Sequence, residues 1–249
     1  MALLEDLANK AKTKNSRILL PESTDPRVIE ASRFISDQNL AQIVLFDEDA
    51  ASSLGVDSIN LKNEDLRLEY AQTLFELRKH KGVSFEAALE MLSSPSVCAM
   101  IALHRSEVDG VVTGAITPSQ EVLSSALRII GVSENSNLVS SMFLMVFDED
   151  HNRYGENLIF TDCAMNISPN SDELAEIAFS AYETAQSFLD EEPKLAMLSF
   201  STNQSAKHSE VDKVRQATEM VRSRLPNAQI IGNVQLDAAL DSEVLKIKD

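Results

Sequence analysis

The chain has 249 residues, 44% of them hydrophobic, which is enough for one large domain or two modest ones around a sizeable core. A formal net charge of -17 argues against nucleic acid and against an anionic membrane surface as partners, so an anionic small ligand needs a local cluster of Lys, Arg or helix N-termini set against the overall field. Trp is absent and aromatics are 5%, which gives no platform for stacked bases; the two cysteines, Cys98 and Cys163, sit in apolar stretches that suit buried thiols of a reducing, cytoplasmic compartment.

In chain order, "MALLEDLANKAKTKNS" predicts an amphipathic helix with acids and bases mixed, unlike a signal peptide, and no run approaches the length that spans a bilayer. "RILLP" predicts a strand, and the helix after it has Asp25 as N-cap, Pro26 at its first position and a buried stripe of Val28, Ala31 and Ile35. "QIVLF" predicts the next strand, and a helix over 63–79 places Leu66, Tyr70, Leu74 and Leu77 on one face. "VSFEAALEML" is a shorter helix. A helical run after Pro95 leads into "VDGVVTGA", a strand ending in a glycine turn, and "SQEVLSSALRIIG" is a helix closed by Gly131.

In the second half, "NLVSSMFLMVF" and "NLIFTD" predict two strands joined as a hairpin by the acidic loop "DEDHNRYGE". Asn170 and Glu173 have the spacing of a capping box at the start of a helix. Strand "KLAMLSF", a polar loop, a helix from about Glu210, strand "AQIIG" and a helix from about Leu236 complete the pattern. Strands separated by helices predict right-handed crossovers, a largely parallel sheet and the α/β class. The polar stretch "GVSENSN" divides a first α/β domain, 1–133, from a second, 134–249.

Ligands of open α/β sheets gather at the carboxyl ends of strands, which leaves four candidate loops. They are Pro21-Glu22-Ser23-Thr24, the stretch from Gly114 to Ser119, the stretch from Asp162 to Asn166, and the stretch from Ser201 to His208. Each sets hydroxyls, amides or a carboxylate ahead of a helix, which suits an anion and equally suits helix capping. The last one lacks the glycines of an ordinary phosphate cradle, yet Asn203 tolerates positive φ, and Ser201, Thr202, Ser205 and Lys207 offer donors. None matches a Walker motif or GxGxxG.

Lys207 beside His208 suits a phosphate or thiolate contact, or a solvated helix start. Arg78-Lys79-His80-Lys81 suits the local positive cluster, or a solvated helix end. His80, His104, His151 and His208 show neither metal-ligand spacing nor a triad arrangement, so no metal is expected. Asp47-Glu48-Asp49 and Asp148-Glu149-Asp150 read as solvated turns without a calcium-loop pattern. Cys163 reads as a packed thiol, since no His or Lys stands beside it in the sequence to activate it.

At these loops the sequence resembles the phosphate acetyltransferase family, the phosphate acetyl/butyryltransferases. "RILLPESTDPRVIEAS", "LRKHKGVSFEAALEML", "VDGVVTGAITPSQEVLSSALRIIG", "IFTDCAMNISPNSDELAEIAFSAYETA", "AMLSFSTNQSAKHSEVDKVRQAT" and "IIGNVQLDAAL" resemble family segments in the family order, over essentially the whole chain. The resemblance implies two α/β domains with a cleft between them, in the three-layer parallel-sheet architecture of isocitrate and isopropylmalate dehydrogenases. It implies an acyltransferase that interconverts acetyl-CoA plus phosphate with acetyl phosphate plus CoA by direct transfer in a ternary complex. A base removes the thiol proton, the thiolate attacks the acyl phosphate carbonyl, and cationic groups steady the charge. No metal, acyl-enzyme or cofactor other than CoA as substrate is implied; a homodimer is.

The substrate-binding residues expected on this basis are Arg27 in "DPRV", Arg78 in "LRKHKG", Thr117, Ser119, Asp162, Asn166, Ser201, Thr202, Ser205 and Lys207. Four positions depart from the family. Ser124 stands where the family has an arginine, with Arg128 four residues on along the same helix face; Thr117 stands where histidine is common, Gln204 where glycine is, and Asn233 where an acid is frequent. The family's S-R-G-C-x-x-x-D motif, with its catalytic arginine and aspartate, is not among these 249 residues, so the catalytic residues are unassigned. A second reading, of another class, is a non-catalytic homologue that keeps the scaffold as a CoA- or phosphate-binding or interaction module.

Overall fold

The computed structural model describes residues 2–134, 136–147, 157–189, 191–202 and 207–248. The chain divides into two units, one from Leu4 to Gly131 and one from Val132 onward, with the first residues through Leu3 counted in the second.

α1 (Ala2–Lys14), which enters the first unit at Leu4, precedes β1 (Arg17–Leu20), and α2 (Pro26–Asp37) begins where Asp25 adopts extended backbone and accepts from the Arg27 N–H. The inner face of α2 differs from expectation. Ala31 is exposed and Ser32 is buried in its place, because the helical period from Val28 runs through 32 and 35; the Ser32 hydroxyl donates to the Val28 carbonyl at 2.7 Å, which satisfies it indoors. Val28, Ile29 and Ile35 pack with Leu20, Ile43, Leu45 and Ala51.

After β2 (Gln42–Leu45) the acidic run proves to be a helix start rather than a turn. Asp47 accepts from the Ala50 N–H at 2.8 Å, Glu48 and Asp49 occupy the first turn of α3 (Glu48–Leu54), and Gly55 in left-handed backbone ends it before β3 (Asp57–Ser58). Then come α4 (Glu64–Arg78), a 3-10 turn (Lys79–Lys81), α5 (Phe85–Met91), α6 (Pro95–His104), β4 (Gly110–Val111) and α7 (Ser119–Ile129). The four strands make one parallel sheet in the order β3-β2-β1-β4.

Its core joins Leu19 and Val44 of the sheet to Tyr70, Ala71 and Leu74 of α4, with Leu66 and Leu77 half-buried at the margin. Helix α6 is buried almost all round, and within it burial pushes the Cys98 thiol up to about 11 while it donates to the Leu92 carbonyl. Among the described residues no single helix is long and apolar enough to cross a membrane.

In the second unit, β5 (Met142–Met145) and β6 (Leu158–Thr161) pair antiparallel with Phe143 opposite Phe160. Residues 148–156 between them, with the acidic run and His151, lie outside the described residues. Helix α8 (Ser171–Phe188) starts with the complete capping box: Asn170 accepts from the Glu173 N–H at 3.0 Å and Glu173 from the Asn170 N–H at 2.8 Å. β7 (Lys194–Leu198) and β8 (Gln229–Val234) are parallel, joined through α9 (Ser209–Arg224), and α10 (Leu236–Leu240) and α11 (Ser242–Lys248) follow. Met197, Ala178, Val214, Ala217 and Val221 form the core. Helix α9 lies so close to β8 that a Cβ on Gly232 would come within 2.2 Å of Thr218 Oγ1.

Candidate active site

β1 and β4 are parallel neighbours, so their carboxyl ends deliver residues 21–25 and 112–118 to the same sheet edge. There Glu22, only 6% exposed, gathers the second loop around its carboxylate. Oε2 accepts from the N–H groups of Gly114 at 2.9 Å and Ala115 at 2.8 Å, and Oε1 from those of Ile116 at 2.9 Å and Thr117 at 2.7 Å. Gly114 at φ 108 supplies the backbone that turns these donors inward. Burial pushes the carboxyl up, but the Ile116, Thr117 and Ala115 N–H groups and the Thr117 hydroxyl outweigh it and hold Glu22 at about 2. The four inward amides of this loop are thus filled by the protein's own carboxylate. Ser23, also buried, donates to the Leu20 carbonyl and accepts from the Phe46 N–H, which ties the same turn to the end of β2.

Arg27 joins this frame. Its Nε donates to Asp25 Oδ1 at 3.0 Å, and its Nη2 donates to Asp25 Oδ2 at 2.7 Å and to the Ala115 carbonyl at 2.8 Å, while the side chain stays 69% exposed. The Arg27 side-chain and main-chain bonds hold Asp25 at about 2. Of the residues expected from sequence, the structure therefore brings Arg27 and Thr117 together through Glu22 and Ala115. Ser119 opens α7 and is exposed; further along, Arg128 Nη2 donates to Ser124 Oγ at 3.3 Å, so the serine carries a guanidinium on its own helix face.

Arg78 ends α4, where Gly82 in left-handed backbone closes the turn and Lys79 pairs with Glu76. Its Nε is buried and has no hydrogen-bond partner among the described residues. A buried guanidinium N–H without an acceptor is unfavourable unless water or a ligand brings an oxygen to it.

In the second unit Asp162 plays a part like that of Glu22. Oδ1 accepts from the Ser141 N–H and hydroxyl, the Ala164 N–H and the Met165 N–H, and Oδ2 accepts from the Asn166 N–H and Nδ2, both at 2.6 Å. Burial pushes this carboxyl up, yet the Ser141 hydroxyl, the Asn166 amide and the loop N–H groups hold it well below the usual carboxylate range. Asn166 Nδ2 also donates to the Val139 carbonyl, and Ser141 Oγ accepts from the Cys163 and Ala164 N–H groups. Cys163 is half-buried rather than buried, and its thiol donates to the Phe160 carbonyl at 3.1 Å.

Ser201 and Thr202 are 2% and 1% exposed. Thr202 Oγ1 accepts from the Gln235 N–H at 3.2 Å, so it ties the exit of β7 to that of β8. Lys207 is exposed, and His208 caps α9, its Nδ1 accepting from the Glu210 N–H and its ring meeting Phe200 edge to face at 5.7 Å. Asn203, Gln204 and Ser205 lie outside the described residues. Asn233, buried at φ 53, adopts the left-handed backbone that asparagine accepts more readily than most residues. Among the described residues no group of three His, Cys, Asp or Glu could hold a metal ion.

Two organising groups escape the sequence reading. Glu22 was visible only as part of a loop, and its four donors lie 92–95 residues away. Ser141 gave no signal at all, standing beside an apolar strand 21 residues before its carboxylate.

Comparison with known proteins accords with this geometry. Residues 2–249 match the family model described as Phosphate acetyl/butaryl transferase. The chain is 38% identical over 259 residues to the phosphate acetyltransferase of Thermoanaerobacterium thermosaccharolyticum, covering 100% of this chain and 78% of that protein. It is 40% identical over 260 residues to that of Clostridium acetobutylicum, with the same shares covered. Its structure is similar to a phosphotransacetylase from Streptococcus pyogenes, with a TM-score of 0.89 and 33% identity over 99% of this chain and 76% of that one. The chain belongs to the phosphate acetyl/butyryl transferase family of acyltransferases.

Proposed function

We propose that the chain interconverts acetyl-CoA plus phosphate with acetyl phosphate plus CoA by direct transfer, with both substrates bound at once. The observation that carries this reading beyond family membership is Arg78, whose enclosed Nε–H has no acceptor among the described residues, one that a phosphate oxygen would supply. The exposed guanidinium of Arg27, braced by Asp25 and Ala115, is a further cation of the same unit, and Ser119 and Lys207 are exposed donors at the starts of α7 and α9.

In the direction of acetyl-CoA synthesis the CoA thiol gives its proton to a base and the thiolate sulfur attacks the acetyl carbonyl carbon. The bond from that carbon to the phosphate oxygen breaks, and inorganic phosphate leaves with the electron pair. Guanidinium groups lower the barrier because negative charge grows on the departing phosphate and on the carbonyl oxygen. Glu22 and Thr117 act differently in this reading, holding the 114–117 turn whose Ala115 carbonyl braces Arg27; Asp162 and Asn166 hold their own 162–166 loop, and Thr202 ties the end of β7 to that of β8. CoA enters as a substrate, not as a resident cofactor, and the active species is a cytoplasmic homodimer.

The test is loss of CoA thiol on addition of acetyl phosphate to the purified protein, with Arg78→Ala alongside. Turnover that falls about 100-fold or more in the variant supports the reading. A folded protein with no turnover, or a variant as fast as its parent, removes it.

A further inference from the structure

Glu22 is unsuited to touching substrate. It is almost fully buried, and each of its oxygens already accepts two main-chain N–H groups at 2.7–2.9 Å. Four successive amides converging on one point form the concavity that holds phosphate in other proteins; with a carboxylate in it, no second anion fits. The purpose of so strong an internal anchor lies in what the anchored loop does next. Ala115 is bonded at both of its main-chain groups, its N–H to Glu22 Oε2 at 2.8 Å and its carbonyl to Arg27 Nη2 at 2.8 Å.

We infer that Glu22 is a positioning residue for Arg27: by fixing the 114–117 turn it fixes the carbonyl that aims the guanidinium. The inference rests on the proposed role of Arg27 toward phosphate. An exposed arginine held only by its neighbour Asp25 keeps rotation about its long stem, and ordering it at the moment of binding weakens affinity. The second hold, from a carbonyl 88 residues away, removes that freedom beforehand. Asp25 and Glu22 therefore divide the work. The first fixes the fork from its own helix start, and the second fixes the tip from the neighbouring strand.

Glu22→Gln keeps the shape and removes the charge, and its amide NH2 faces N–H groups that then lack an acceptor. The experiment compares four proteins: the parent, Glu22→Gln, Arg27→Ala and the double variant. Three quantities are read: the dissociation constant for inorganic phosphate, the KM for CoA and, in the proteins that retain Arg27, the heteronuclear NOE of its side-chain Nε–H, identified by its disappearance in Arg27→Ala. The expected result is a fall in the Arg27 NOE, phosphate binding weakened about tenfold by Glu22→Gln, an unchanged KM for CoA, and less than a twofold further effect of Glu22→Gln in the Arg27→Ala background. Equal effects of Glu22→Gln in both backgrounds, or an unchanged NOE, overturn the inference.

Should Glu22→Gln not fold, Glu22→Asp, which keeps the charge but is one methylene short, enters the same cycle under the same criteria. A parent that binds phosphate but transfers no acyl group sinks the proposed function alone. If the parent binds no phosphate, the role of Arg27 fails and the NOE by itself decides whether Glu22 positions it.

Discussion

The two units hold their strand ends by different means. In the first, a carboxylate from the end of β1 reaches across to four amides at the end of β4, a bond between segments more than 90 residues apart. In the second, Asp162 mostly collects the amides of its own loop, two to four residues on, with Ser141 as its distant partner. Packing follows the opposite trend. A Cβ on Gly110 in β4 would meet only the flexible end of Ile18, at 3.0 Å, whereas one on Gly232 in β8 would strike three side-chain atoms of Thr218, whose Cβ lies at 2.8 Å. A carboxylate reaching between strands holds one loop, and a loop closed on its own acid holds the other.

The contrast is broken most forcefully at the glycines. Gly232→Ala is expected to cost about 3 kcal/mol, because α9 must move off β8, while Gly110→Ala costs under about 1 kcal/mol, because Ile18 can change rotamer. Urea midpoints of the two variants check this, and equal losses would show that the two sheets are equally tight.

The carboxylates give the next largest effect. Glu22→Ala strands four amides and is expected to lower the stability of the first unit by about 2 kcal/mol; Asp162→Ala is expected to cost about 1 kcal/mol, since water can reach its half-buried loop. Hydrogen exchange separates them further. Glu22→Ala should speed exchange at 114–117 and along β4, and Asp162→Ala at Ser141 and 164–166.

Acid sharpens the comparison with the smallest perturbation. Glu22 and Asp25 are both held at about 2 in the folded chain, below the roughly 4.3 and 3.9 of unfolded Glu and Asp. Their contribution is full above those unfolded values and is lost as pH falls from about 4.5 toward about 2. Stability of the first unit measured at pH 5 and pH 3 should therefore drop, and drop less in Glu22→Ala.

What was legible in the sequence was local. The Asp25-Pro26 start and the Asn170-Glu173 box are read from neighbours in the chain, and the structure shows both. The run at Asp47 misled because acids in a first helical turn and acids in a solvated turn look alike; only the fold of α3 tells them apart. Ser32 was passed over for Ala31 because apolarity, not register, picked the stripe. The strand-end rule and the family segments pointed to loops in which the structure places two tightly bonded carboxylates, Glu22 and Asp162. They could not show that the loop after β4 already holds an anion, since nothing near Gly114 names Glu22 as its partner.

That internal anion is the central claim, and titration of the 15N-labelled protein with inorganic phosphate tests it most directly. The expected result is that the Arg78 and Arg27 Nε–H signals shift while the amides of 114–117 stay in place with their exchange protection intact. Movement of those four amides, with loss of protection, would contradict it, because phosphate would then be displacing Glu22 from the cradle.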